Sequence, residues 1–252
     1  VNLTDRIIVI TGGGRGLGAA YAVGAAKEGA IVVLADIADP SETVSAIEEF
    51  GGTVRALKVD ITDQDAVESM VDAVVDEFGR IDALVNNAAY FRAAESGSFE
   101  DVALDELDKC LTVNIRGTWL STKAVVPTMK AAGYGKIINV SSASVWKGTS
   151  ATGPHYLTSK AAIIGFTRAL ARELGPHNIC VNSLIPDAIP ATGDDVEDDL
   201  TSPAAQRQIG NRCLKRRQTP EDMVGTLVYL CSSGSDFVTG QSLHVNGGSY
   251  LT

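Results

Sequence analysis

Tyr156 and Lys160 stand four residues apart, so in a helix they project from one face. A phenol with a pKa near ~10 is a poor base at neutral pH, but an ammonium beside it favours the phenolate. Such a pair can trade a proton with a substrate hydroxyl. Ser141, Ser142 and Ser144 lie just upstream, where a hydroxyl can steady the same oxygen. Alone, Tyr-x-x-x-Lys is common in helices as an amphipathic tyrosine and a solvated lysine, so the pair needs a context.

A glycine cluster supplies one. Gly12, Gly13, Gly14, Gly16 and Gly18 fall between an apolar run at 7–10 and a helical pattern that stops at Gly29; a second apolar run at 31–35 ends in Asp36. This spacing predicts strand, glycine turn, helix and parallel strand, one βαβ unit. Without Cβ atoms the turn lets backbone N–H groups approach a pyrophosphate, which the helix N-terminus also favours. The bland alternative is an ordinary tight turn. Asp36 is placed to accept hydrogen bonds from adenosine ribose hydroxyls and would repel a 2'-phosphate, which points to NAD. Arg15 pulls towards NADP, because a basic side chain there can pair with that phosphate.

Further elements alternate: helix 40–50, strand 53–58, helix 63–78 and strand 81–85, then a loop at 88–98 and one long helix over 99–129. Strand 136–140 leads into the serine segment, helix 153–174 follows, then strand 179–185, helix 220–231 and strand 241–245. Regular alternation means a parallel sheet covered on both faces, an α/β domain spanning 1–252. Periodicity fails over 186–218, which predicts a substrate lid. Its charges, Asp194, Asp195, Glu197, Asp198 and Asp199 followed by Arg207, Arg212, Lys215, Arg216 and Arg217, read as solvated faces.

Composition narrows the class. The chain has 252 residues, 45% hydrophobic and 21% charged, with a formal net charge of -10. Nucleic acids and anionic membranes call for basic patches, so both are disfavoured as partners. Cys110, Cys180, Cys213 and Cys231 are widely spaced and read as free thiols in a reducing compartment. No stretch approaches eighteen consecutive apolar residues, and the first residues show no basic leader pattern. These features predict a soluble, cytoplasmic protein. His155, His177 and His244 are scattered, so no metal site is expected.

Taken together, Thr11-Gly12-x-x-x-Gly16-x-Gly18, Asn86-Asn87-Ala88, the serine pair and Tyr156-x-x-x-Lys160 resemble the short-chain dehydrogenase/reductase family over nearly the whole chain. The resemblance implies a single-domain Rossmann-like doubly wound sheet of seven parallel strands. It also implies NAD-dependent interconversion of a secondary alcohol and a ketone or aldehyde. Tyr156 would be the general acid/base, Lys160 would lower its pKa and bind the nicotinamide ribose, and Ser142 would hold the substrate oxygen. Asn114, in VNIRG, matches an asparagine that holds a water relaying protons from Lys160. By the same resemblance Arg15 and Leu17 would belong to the cofactor turn, Asp60 and Ile61 match residues that flank the adenine, and Asn87 and Ala88 match those behind the ribose. Ile189 and Thr192 would meet the nicotinamide end. A homotetramer built on the helices near 99–129 and 153–174 is implied as well. Across LTSKAAIIGFTRALARELG the chain is similar to the subgroup with 1-phenylethanol dehydrogenase and pyridoxal 4-dehydrogenase.

The chain departs from the family pattern in places. Ala89 replaces a glycine, Asp187 follows Pro186 where glycine is common, Thr192 falls one position late, and Asn246 stands for aspartate. Ser141 and Ser144 compete with Ser142 for the substrate oxygen. Asn114 has a bland reading as a local helix bend, and Asp60 as a helix cap. Trp146 and Tyr90 line a pocket, the core or a subunit interface. Two rival functions stay open: an NADPH-dependent reductase of 3-oxoacyl or other ketones, permitted by Arg15, and a cofactor-binding protein without catalysis.

Overall fold

A computed structural model describes residues 2–91, 99–148, 153–189 and 201–251. Seven strands form one sheet in the order β3-β2-β1-β4-β5-β6-β7, every neighbouring pair parallel. They are β1 (Ile7–Thr11), β2 (Ile31–Asp36), β3 (Thr53–Lys58), β4 (Ala83–Asn86), β5 (Gly135–Val140), β6 (Ile179–Pro186) and β7 (Ser242–Val245). The central strands β1, β4, β5 and β6 are buried along their whole length. That is why β1 reads as an apolar run rather than an alternating pattern, while β4, β5 and β6 also bury Asn86, Lys136, Asn139, Asn182 and Ser183.

Successive side chains of a strand enter opposite layers. Ile8, Ile10, Val32, Leu34, Val85 and Ile138 pack against α1 (Gly16–Lys27) and α9 (Glu221–Cys231). Ile7, Val9, Val33, Leu84 and Ile137 face α3 (Gln64–Phe78), with the helices described below. α2 (Ser41–Glu48) sends Ile47 into the first layer. At the start of α3 the Asp63 carboxylate accepts from the Asp65 and Ala66 amides, and at its end Gly79 takes a left-handed φ of 79°. These are the N-cap and C-cap that its sequence signals.

The expected single helix over 99–129 is divided. A short turn at Phe99–Asp101 is followed by α4 (Leu104–Leu111), a π-helical stretch at Thr112–Gly117 and α5 (Thr118–Ala132). Wide turns of this kind gather at functional positions, and this one contains Asn114. Beyond β5 the chain makes the one-turn helix α6 (Ser144–Lys147), then α7 (Pro154–Leu174). The lid region is not wholly irregular either. It contains α8 (Pro203–Gly210), whose first turn is closed by the Ser202 hydroxyl accepting from the Ala205 amide, with Pro203 leading the helix.

Strand order reverses between β1 and β4, so the loops after these two strands diverge and leave a crevice at their carboxyl ends. The glycine turn and the Asn86-Asn87-Ala88 segment meet there. Among the described residues no helix is long and apolar enough to cross a membrane. No group of three or more His, Cys, Asp or Glu among them is arranged to hold a metal ion. All four cysteines are free.

Candidate active site

The first wall of the crevice is the glycine turn. Gly12 has φ of +64°, and a Cβ there would lie 2.9 Å from the Ala88 Cα. A Cβ on Gly18 would fall 1.9 Å from the Gly12 carbonyl oxygen, so α1 can start this close to β1 only with glycine at that position. Thr11 fastens the opposite wall: its hydroxyl accepts from the Asn87 and Ala88 amides, each at 3.1 Å. The Asn87 side-chain amide returns to the Thr11 and Gly12 carbonyls at 3.1 and 3.0 Å. The bare backbone at the amino end of α1 is the kind of cradle a pyrophosphate fills, and the residues present fit a dinucleotide.

Asp36 ends β2 beside this turn and is buried. One carboxylate oxygen accepts from the Gly14 amide at 2.9 Å and the other from the Ala38 amide at 2.9 Å. Each oxygen keeps a further lone pair, as acceptance of ribose hydroxyls requires. Arg15, just before α1, is exposed. Leu17 packs against the first core layer. Asp60 follows β3, and its carboxylate accepts from the Thr62 amide and hydroxyl at 2.9 and 2.8 Å. It thus closes its own turn, and the cap of α3 is Asp63. Ile61 is buried in the second layer. Ile189 lies against the first layer after β6; Thr192 lies outside the described residues, as do Asp194, Asp195, Glu197, Asp198 and Asp199.

The second wall carries the titratable groups. Tyr156 and Lys160, in the first two turns of α7, are 8% and 4% exposed, and the Lys160 Nζ lies 5.7 Å from the centre of the Tyr156 ring. Ser142 stands close enough to Tyr156 for its hydroxyl to pull the phenol's pKa down. Its Oγ accepts from the Ser144 amide and hydroxyl at 3.2 and 2.9 Å, which leaves its own proton for the tyrosine oxygen. The three serines have different partners. Ser141 is fully buried and donates to the Lys160 carbonyl at 2.7 Å, and Ser144 serves Ser142.

The expected lowering of the Tyr156 pKa by Lys160 is not what the fold produces. Burial dominates and pushes the phenol up, the Ser142 hydrogen bond pulls it down, and the nearby Cys110 thiol pushes it up again. Burial also pushes Lys160 down to about 8, against a smaller rise from Cys110. The ammonium donates to the Val140 carbonyl at 2.8 Å, which turns it towards the sheet.

Beneath this pair the π-helical stretch presents Asn114, 1% exposed. Its Oδ1 accepts from the Tyr90 amide at 2.6 Å, and its Nδ2 donates to the Ser159 hydroxyl at 2.9 Å, with longer contacts to the Tyr90 carbonyl and the Cys110 thiol. Asn114 therefore ties the loop after β4 to α7. Tyr90 is fixed in the wall: its hydroxyl donates to Glu106 at 2.9 Å, and Lys109 sits over its ring. Trp146 packs edge-on against His244 at 4.3 Å and stacks on Tyr250.

Some participants have no sequence signal. Phe91 meets the Tyr156 ring edge-on at 5.2 Å between centroids, although it is 66% exposed. Cys110 and Ser159 complete the floor. Neighbours brought together from α4 and α7 cannot be read from local spacing.

A parallel sheet with its order reversed beside a glycine turn, and Ser142, Tyr156 and Lys160 gathered after β5, define an oxidoreductase of the short-chain type. The family described as enoyl-(acyl carrier protein) reductase, adh_short_C2, matches residues 12–250, and the chain belongs to the short-chain dehydrogenase/reductase family. It is 38% identical to the short-chain reductase protein NovJ of Streptomyces niveus, covering 97% of this chain and 94% of that protein. Among solved structures it is similar to NAD+-bound xylitol dehydrogenase, with TM-score 0.88, 30% identity, and coverage of 98% of this chain and 100% of that one. It also resembles a Beutenbergia cavernae protein described as an NAD(P)-dependent gluconate 5-dehydrogenase, with NADP bound at low occupancy. The TM-score there is 0.88, with 32% identity and 98% coverage of both chains.

Proposed function

We propose that this chain is an NAD-dependent oxidoreductase that interconverts a secondary alcohol and a ketone or aldehyde, with Tyr156 as general acid/base. The observation that carries the reading is the burial of Tyr156 and Lys160 on one face of α7, with the Lys160 Nζ 5.7 Å from the tyrosine ring and the Ser142 hydroxyl, itself oriented by two donors from Ser144, acting on the same phenol. Two hydroxyls converging in this way form a seat for one substrate oxygen.

Gly12, Gly16 and Gly18 would hold the pyrophosphate with the neighbouring Arg15 and Leu17, and Asp36 the adenosine ribose. Asp60 and Ile61 would flank the adenine, Asn87 and Ala88 would back the ribose, and Lys160, Ile189 and Thr192 would hold the nicotinamide end. Such a cofactor supplies the hydride acceptor or donor. The chain's own work is on the proton. In reduction the Tyr156 phenol, kept protonated by burial, donates to the developing alkoxide while Ser142 holds that oxygen. In oxidation the deprotonated oxygen takes the hydroxyl proton, a form that burial of Tyr156 opposes and the Ser142 hydroxyl favours. With its pKa near 8, Lys160 can gain or lose a proton close to neutrality. Asn114 fixes the floor through which that proton leaves. Positioned proton transfer of this kind is worth on the order of 10²–10⁴-fold.

An NADP-dependent ketone reduction is the second reading, favoured by exposed Arg15 at the start of α1 and by the NADP-bound relative. The buried, doubly hydrogen-bonded Asp36 opposes it. A homotetramer built on the family's helices would place α5 and α7 at the seam, where Trp119, 54% exposed, stacks on Phe166 at 5.0 Å. A spectrophotometric screen for NADH production over diverse alcohols, run in parallel with NADP, tests the function. Turnover of neutral secondary alcohols with NAD is the expected outcome; no turnover with either cofactor would remove the reading.

A further inference from the structure

Asp187 directly follows β6, and its side chain is 6% exposed. Two cations from distant parts of the chain share its carboxylate. Lys147, the last residue of α6, approaches Oδ1 at 2.5 Å. Arg212, just beyond α8, brings Nε and Nη2 to Oδ2 at 3.3 and 3.2 Å. The Arg212 side chain is itself only 1% exposed. Its remaining donors go to the Ala188 carbonyl at 2.8 Å and the Arg216 carbonyl at 3.2 Å. The Asp187 amide donates to the Gln218 Oε1 at 3.1 Å, and Gln218 in turn donates to the Val245 carbonyl. A guanidinium buried to this degree needs a counter-charge, and a glycine in place of Asp187 would not supply one.

The consequence lies at the other end of α6. Lys147 closes a single helical turn that opens with Ser144, and Ser144 supplies both donors that orient the Ser142 oxygen. Ala143, between them, donates its amide to the Pro186 carbonyl at 2.9 Å. The turn is thus held from beneath by β6 and at its far end by Asp187.

We propose that Asp187 is a positioning residue for the reaction: through Lys147 it fixes the one-turn helix that aims Ser142 at Tyr156, and through Arg212 it anchors that helix to the segment beyond α8. The proposal rests on the reading of Ser142 and Tyr156 as the seat of the substrate oxygen. It turns the departure from glycine at this position into a working part of the site.

The test uses Lys147→Met and Lys147→Arg in the full chain. Asp187→Asn strands the buried Arg212 and is expected to lose the fold, whereas Lys147→Met leaves the Arg212–Asp187 pair intact. With a neutral alcohol found in the NADH screen, Lys147→Met should lower kcat by about 10- to 100-fold, the effect of a misplaced catalytic group. KM should change little and NADH affinity should stay within about twofold, because the cofactor turn is untouched. Lys147→Arg should recover most of kcat. Amide hydrogen exchange at Trp146 and Lys147 should quicken about tenfold in the Met variant while α3 stays unchanged. Unchanged kcat, or a kcat loss without faster exchange in α6, would overturn the proposal. If the wild-type protein oxidises no alcohol, the functional reading fails separately, and the exchange measurement still decides whether Asp187 holds α6.

Discussion

A Cβ on Gly18 would lie 1.9 Å from the carbonyl oxygen of Gly12, so these two residues set how closely α1 approaches the end of β1. Gly18→Ala should therefore push the helix away from the turn. The expected cost is about 1–3 kcal/mol of stability, as for other overpacked sites, with NADH affinity lowered more than about tenfold. Urea unfolding and NADH fluorescence titration measure the two effects. Wild-type affinity in a folded Gly18→Ala protein would contradict the cradle.

Tyr156→Phe keeps the ring against Phe91 and removes only the proton donor. Turnover should fall by about 10²–10⁴-fold, with NADH affinity and thermal stability close to wild type. Steady-state kinetics beside a binding titration separate the two, and retention of full activity would remove Tyr156 from its role.

The serines should divide. Ser142→Ala is expected to lower kcat about 10- to 100-fold, in line with the loss of one donor to a developing oxyanion, and to leave folding intact. Ser141→Ala removes a buried hydrogen bond to the Lys160 carbonyl. It should cost about 1 kcal/mol of stability with a smaller effect on kcat. The reverse pattern would mean that the wrong serine faces the substrate.

Asp36→Asn should weaken NADH binding by about tenfold and narrow the preference for NADH over NADPH, since the carboxylate charge opposes a 2'-phosphate. Dissociation constants for both cofactors test it. An unchanged ratio would exclude Asp36 from cofactor choice.

Lys160 makes stability depend on pH. Its folded pKa is about 8 against an ordinary 10.5, so the unfolded chain binds more protons between those values, and stability rises with pH across that window. Below pH 8 the burial penalty, on the order of 3 kcal/mol, is fully present. Relative to Lys160→Met, the wild-type protein should gain stability between pH 8 and 10.5. Urea titrations of both proteins at pH 7 and pH 10 measure this, and a difference that does not change with pH would sink it.

What could be read from the chain without coordinates was whatever depends on neighbours in sequence. β3 spans the expected 53–58, because strand periodicity and flanking turns are local. The spacing of Gly12 to Gly18, and of Tyr156 to Lys160, is likewise local: the glycines fall at the junction of β1 and α1, and the pair falls in α7. α8 falls within the stretch expected to be irregular, because its eight residues give too little periodicity to stand out.

Tertiary structure decided the rest. The π-helical stretch around Asn114 depends on Tyr90 and Ser159, which lie 24 and 45 residues away in sequence. Which of three serines faces Tyr156 depends on the turn of α6, and the position of Phe91 on the packing of the loop after β4. The charge balance at Lys160 and Tyr156 likewise comes from burial, a property of the folded whole. Residue types and spacing determined the glycine turn after β1 and set Tyr156 and Lys160 on one helix face. Only the fold, by burying Tyr156 and Lys160 and joining Asp187 to Lys147 and Arg212, decided which distant groups surround them.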